Sequence, residues 1–211
     1  MLAVARRRAH DAGLGNVEFL QADAQVHAFD EGPIDLALSR TAVMFFSDRV
    51  AALANVRRAL RPGGRLVLLV WQGPERNDWF LELTGALAVG RPLPAPPPSA
   101  PHPFAMADPA ATRGDLLEAG YTGVDVVGLE RPMFLGQDPQ SAHAFALALL
   151  GWMLDGLDPD GQGRARDALR ATVDAHTGPD GVTFGSAAWL VTGSAPLEGR
   201  GTWTKPPRWQ R

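Results

Sequence analysis

The stretch NVRRALRPGGRLVLLVWQ, residues 55–72, holds a helix end, a break and a strand in immediate succession. Arg57, Arg58 and Arg61 suit the negative end of a helix dipole. Pro62 disfavours a helical Arg61, and Gly63 and Gly64 permit a tight reversal. After Arg65 the six residues Leu66–Trp71 are all apolar, which predicts a strand covered on both faces. Upstream, Ser47 and Asp48 offer caps for a helix in which Val50, Leu53, Ala54, Arg57 and Leu60 keep helical spacing. Before that helix, IDLALSRTAVMFF opens on a second short apolar run, again predicted to be covered on both faces. Strand, helix and strand in about forty residues make a crossover unit with a parallel sheet, an α/β architecture.

Composition bounds what such a fold does. The 211 residues are 45% hydrophobic and 20% charged, one domain of moderate size, too apolar for disorder. A formal charge of −3 supplies no general attraction for nucleic acid or anionic membrane. Cysteine is absent, which excludes disulfides, thiolate nucleophiles and cysteine metal sites. The N-terminus has arginines but no continuous apolar core of a signal peptide, and no run reaches the ~18 apolar residues of a membrane span. A cytoplasmic protein is expected.

Residues 1–12 are predicted as a helix ended by Gly13, with no Ser, Thr, Asp or Asn ahead of it as a cap. NVEFLQADA, from Asn16 to Ala24, alternates apolar and polar residues and predicts a short strand running into a turn at Asp23. Residues 91–103 hold seven prolines, a stiff extended segment that reads as a surface linker or as a rigid cover over a pocket. Asp108 with Pro109, and Asp138 with Pro139, have the order of an N-cap and a first helical residue. They predict a helix to Gly120, followed by the strand YTGVDVVGLE, and a helix through QSAHAFALALLGWMLDGL. DPDGQG is predicted as a turn before a further helix, GRARDALRATVDAH, so a helical insertion spans about 138–176. AAWLVTGSA closes as a last strand, and residues 196–211 read as an irregular tail.

The five histidines, His10, His27, His102, His143 and His176, show no short ligand spacing. DPDGQG resembles the start of a calcium loop, yet Leu169 stands where the bidentate glutamate belongs. Neither a GxSxG elbow nor a GxxxxGK[ST] phosphate loop is present, and no metal site is predicted. Two strand ends remain, Asp23 with Ala24, and Ser39 with Arg40 and Thr41. In open α/β sheets ligands sit outside the carboxyl ends of strands. Asp also begins turns, and Ser and Arg suit any loop, so each position alone has an ordinary structural explanation.

Taken together, NVEFLQADAQ, IDLALSRTAVMFFSD, NVRRALRPGGRLVLLVWQ and NDWF resemble class I S-adenosylmethionine-dependent methyltransferases, in the branch similar to the ubiquinone/menaquinone-biosynthesis enzymes. The resemblance runs over roughly residues 1–195 and implies a Rossmann-like, mostly parallel sheet with a helical cap. It implies S-adenosyl-L-methionine as cofactor, with Asp23 accepting from the adenine amine and the Ala24 backbone at the ring edge. A carboxylate suits that place because it only accepts hydrogen bonds. Ser39 and Arg40 would line the methionine end, and Trp71 and Gln72 the substrate side. The implied reaction is in-line methyl transfer to a small-molecule acceptor, which requires alignment and desolvation and no named catalytic side chain.

The family's first strand, its glycine-rich loop of D-x-G-x-G type and the acidic end of its second strand fall upstream of Met1. The chain is therefore expected to be N-terminally incomplete and to lack the two strands that stand between VEFLQ and IDLAL in the family sheet. Those two segments then pair directly or leave unpaired edges, which invites self-association. The alternative function is a non-catalytic methyltransferase remnant acting in binding or assembly. A nicotinamide-dependent oxidoreductase is disfavoured because the dinucleotide glycine fingerprint is absent.

Overall fold

The computed structural model describes residues 1–29, 34–93 and 101–197. Most of the 196–211 tail and the central prolines of the 91–103 segment lie outside the described residues.

Helix α1 (Leu2–Asp11) has no side-chain cap, ends at Ala12 before a left-handed Gly13, and buries none of its residues. β1 (Ile34–Arg40), α2 (Arg49–Ala59) and β2 (Leu60–Trp71) form the crossover, and β1 and β2 pair in parallel. Asp48 caps α2 by accepting from the Ala51 amide at 2.9 Å. The Pro-Gly-Gly reversal lies inside β2, because the strand begins at once after α2 and its ladder with β1 shifts between Ile34 and Leu36. Gly63 takes φ 74°, and a Cβ on Gly64 would stand 2.9 Å from the carbonyl oxygens of Arg61 and Ile34. Gly63 is therefore required by its left-handed backbone, and Gly64 by the close approach of backbone.

Next come α3 (Asp78–Ala88), α4 (Pro109–Glu118), β3 (Thr122–Glu130), β4 (Met133–Gly136), α5 (Pro139–Leu150) and α6 (Pro159–Ala175). Three short strands follow or close the chain: β5 (Thr177–Gly178), β6 (Gly181–Phe184) and the longer β7 (Ala187–Ser194). The main sheet is mixed, in the order β1-β2-β7-β3, with β7 antiparallel to both neighbours. Strands β4, β6 and β5 make a second antiparallel sheet that the sequence pattern did not announce.

Two apolar cores result. One joins the main sheet to α2 and α4 through Leu53, Leu66, Leu68, Val70, Leu116, Tyr121 and Val191. The other joins α3, α5, α6 and the small sheet through Trp79, Leu83, Ala146, Leu169 and Phe184. This second unit holds α5 and α6, from the 138–176 stretch, together with α3 and the small sheet.

Four sequence expectations are corrected. The main sheet is mixed rather than mostly parallel, because β7 enters it antiparallel to both neighbours and leaves β1 and β2 as its parallel pair. NVEFLQADA forms no strand: residues 14–29 are irregular, with Val17 and Leu20 exposed. A strand needs a ladder partner, and none lies beside this segment among the described residues. IDLAL is a strand, but it is not covered on both faces, since Leu38 is 71% exposed. DPDGQG is the first turn of α6, with Asp158 accepting from the Gly161 amide at 2.7 Å and Pro159 in the first turn. It repeats the Asp-Pro start signal of α4 and α5, which outweighs the two glycines.

Candidate functional site

The site is built where the carboxyl end of β1 meets the irregular segment that precedes it. Asp23 Oδ1 accepts from the Gln25 amide at 2.9 Å, and the Val26 and His27 amides donate to Asp23 O, so residues 23–27 form a tight turn. Oδ2 has no partner among the described residues. Asn55, buried on the inner face of α2 between Ala52 and Ala59, donates through Nδ2 to Ala24 O at 2.9 Å and His27 O at 2.8 Å. Arg58 in turn donates to Asn55 Oδ1. Gln25 Oε1 accepts from Ser47 Oγ and from the Asp48 amide. The turn is thereby fastened to the start and middle of α2.

Ala24 and Ser39 line one apolar cavity of about 360 Å³, with Phe29, Leu36, Leu38 and Phe46 among its walls. Arg40 is exposed at the end of β1. Thr41 follows at φ 50°, a left-handed conformation that is strained for a β-branched residue, and its amide donates to Leu69 O at 2.8 Å. The sharp bend at this strand end is thus held by the neighbouring strand.

At the end of β2 the structure separates the two remaining predicted residues. The Trp71 ring packs 5.2 Å from the Trp79 ring. Gln72 is buried, with Nε2 donating to Ala188 O at 3.0 Å, and it borders an open polar cleft with Arg76, Glu130 and Trp189. Asn77, fully buried, closes this corner. Its Nδ2 donates to the carbonyls of Gln72 and Gly73, and its Oδ1 accepts from Trp79 Nε1 and the Ala187 amide.

Beyond Trp79 lies a second apolar cavity of about 360 Å³ lined by Trp79, Phe80, His102, Leu149, Trp152 and Met153, among others. Leu93, His102 and Pro103 bring both described ends of the proline-rich segment to this wall. Burial, helped by the Arg49 guanidinium, holds the His102 imidazole below its ordinary pKa, which favours the neutral ring. Among the described residues no group of three or more His, Asp or Glu is placed to hold a metal ion, and no helix is long and apolar enough to cross a membrane.

Asn55, Asn77 and His102 were not singled out for the site by sequence reasoning. Asn55 carried a signal, a polar residue on the helix face that Ala52 and Ala59 bury. Asn77 stood in the NDWF motif without a role, and nothing local marked His102.

Residues 1–68 match a family described as a methyltransferase domain. A demethylmenaquinone methyltransferase of Thermus thermophilus is 41% identical over 81 residues, which are 38% of this chain and 36% of that protein. The ubiquinone/menaquinone biosynthesis C-methyltransferase UbiE of Teredinibacter turnerae is 38% identical over 78 residues, 36% of this chain and 31% of its own. The matched part is thus about a third of the length of these curated relatives. Among solved structures, a candidate methyltransferase of Bacillus halodurans superposes with TM-score 0.55 at 16% identity, covering 92% of this chain and 78% of that one. The YcgJ protein of Bacillus subtilis gives 0.54 at 20% identity over 94% and 79%. At such identities these structures show the fold alone.

Proposed function

As a relative of the class I S-adenosylmethionine-dependent methyltransferases of the ubiquinone/menaquinone type, this chain is, we propose, a methyltransferase acting on a small-molecule acceptor. The observation that carries the reading is the clasped turn at residues 23–27, set beside the cavity that Ala24 and Ser39 share. A carboxylate oxygen of Asp23 suits the amine of an adenine ring, and the Ala24 amide suits a ring nitrogen. Ser39 and Arg40 at the strained end of β1 suit the methionine part. When bound, S-adenosyl-L-methionine supplies an electrophilic methyl group on a sulfonium. The chain's own part is alignment and exclusion of water, for which the Trp71–Trp79 wall and the aromatic cavity behind it serve on the acceptor side. Gln72, whose amide is held by β7, braces that wall. Residues 1–195 act as one unit in this reading, and the location is cytoplasmic.

Calorimetry of the 211-residue chain with S-adenosylmethionine tests it. Stoichiometric binding is expected, and Asp23→Ala is expected to weaken it about tenfold or more, the worth of a hydrogen bond to a charged group. Wild-type affinity in that variant refutes the assignment of Asp23.

One observation favours a second reading, the non-catalytic assembly protein. β1 has no partner on its outer edge among the described residues, its own Leu36 and Leu38 are exposed, and α1 buries nothing. Such an edge is a template for pairing with another copy. Sedimentation over a range of concentrations decides: association that Leu38→Lys abolishes, without cofactor binding, supports this reading, and a monomer throughout refutes it.

A further inference from the structure

We propose that His102 is the group that orients the methyl-accepting substrate: its Nε2–H is a hydrogen-bond donor to the aromatic cavity, and it selects apolar molecules that carry an accepting oxygen or ring nitrogen. The substrate role rests on the methyltransferase reading; the donor assignment rests on geometry alone.

The tautomer follows from one contact. The Phe104 backbone N–H donates to His102 Nδ1 at 3.2 Å, so Nδ1 carries the lone pair and the neutral ring has its proton on Nε2. With Nδ1 turned to its own chain, the opposite edge of the ring is left for the cavity that His102 lines. Two other polar groups of the wall are already engaged. Thr84 Oγ donates to Phe80 O within α3, and Trp79 Nε1 donates to Asn77 Oδ1 at 3.0 Å. Trp152 is 56% exposed, and its indole N–H, without a partner among the described residues, is the competing donor that the test separates from His102. The rest of the lining among the described residues is apolar: Phe80, Leu93, Pro103, Leu149, Leu150 and Met153. A donor set in a largely apolar wall fixes one atom of a bound molecule, and a site of that kind discriminates against an analogue without that atom.

Quinoline and naphthalene have nearly the same shape and differ by one accepting nitrogen, so they serve as the probes. Their affinities for the whole chain are measured by equilibrium dialysis at pH 7.5, with circular dichroism as the check on folding. His102→Phe is expected to weaken quinoline about five- to tenfold while naphthalene changes less than about twofold. His102→Asn, which keeps a donor, is expected to recover part of the quinoline affinity. Trp152→Phe is expected to leave the ratio of the two affinities as it is. Equal loss of both probes in His102→Phe makes the ring a packing element and overturns the proposal, as does a quinoline preference that vanishes in Trp152→Phe. The probe measurements are made without cofactor, so failure of S-adenosylmethionine to bind overturns the methyltransferase reading and leaves the donor assignment standing.

Discussion

Replacing Asn77 by alanine removes four hydrogen bonds from a side chain with no exposed surface. The loss is uneven across the partners. Trp79 is 4% exposed and Ala187 2%, so the indole N–H and the Ala187 amide would be left buried without an acceptor. Each such donor costs about 1–3 kcal/mol, so the pair costs about 2–6 kcal/mol. The Gly73 carbonyl is only half-buried and regains water, adding little. A destabilisation near ~4 kcal/mol is a large part of the ~5–15 kcal/mol that holds an ordinary domain. With a urea slope of about 2–3 kcal/mol per molar, the midpoint falls by about 1–2 M. Urea unfolding followed by tryptophan fluorescence and far-ultraviolet circular dichroism reads this directly, and the Trp79 environment changes with it. A midpoint within about 0.3 M of the parent would refute the reasoning, because it would mean that the two orphaned donors find other acceptors.

Asn55→Ala removes a similar number of bonds with a smaller expected cost, about 1–2 kcal/mol, since the Ala24 and His27 carbonyls lie near water. Its signature is local: hydrogen exchange at the Gln25, Val26 and His27 amides is expected to speed about tenfold while the β2 amides keep their rates, and unchanged exchange in the turn counts against the clasp. Gly64→Ala drives a methyl group against the carbonyls of Arg61 and Ile34, an overpacking of about 1–3 kcal/mol that lowers Tm by several degrees; an unchanged melt refutes the close approach. Tyr121, whose hydroxyl donates to Leu53 O at 3.1 Å, is held above the ordinary phenol pKa by burial, against a smaller opposing effect of Arg57. Its contribution to stability is therefore complete below about pH 10 and lost as pH rises beyond it. The chain has one tyrosine and one lysine, Lys205, so alkaline unfolding is nearly a single-residue titration. Tyr121→Phe is expected to flatten the decline of the urea midpoint above pH 10, and an unaltered slope would assign it elsewhere.

The sequence by itself determined what neighbours along the chain decide. Three Asp-Pro pairs start α4, α5 and α6, and in DPDGQG the Asp158 cap prevails over the turn its composition predicts. The apolar run at Leu66–Trp71 located the central strand, and the crossover unit fixed the parallel pair. The quoted motifs together resemble the methyltransferase family, and residues 1–68 match a family described as a methyltransferase domain. Tertiary structure alone decided the rest. Val17, Phe19 and Leu20 have a strand's alternation, but a strand exists only with a ladder partner, and alternation cannot say whether one is present. The same ignorance of neighbours hid the small antiparallel sheet and left Leu38 uncovered. The site's anchors are non-local for the same reason. Asn55 reaches Ala24 across 31 positions, and Asn77 reaches Ala187 across 110. A hydrogen bond forms between groups about 3 Å apart in space, and only the folded chain sets that distance.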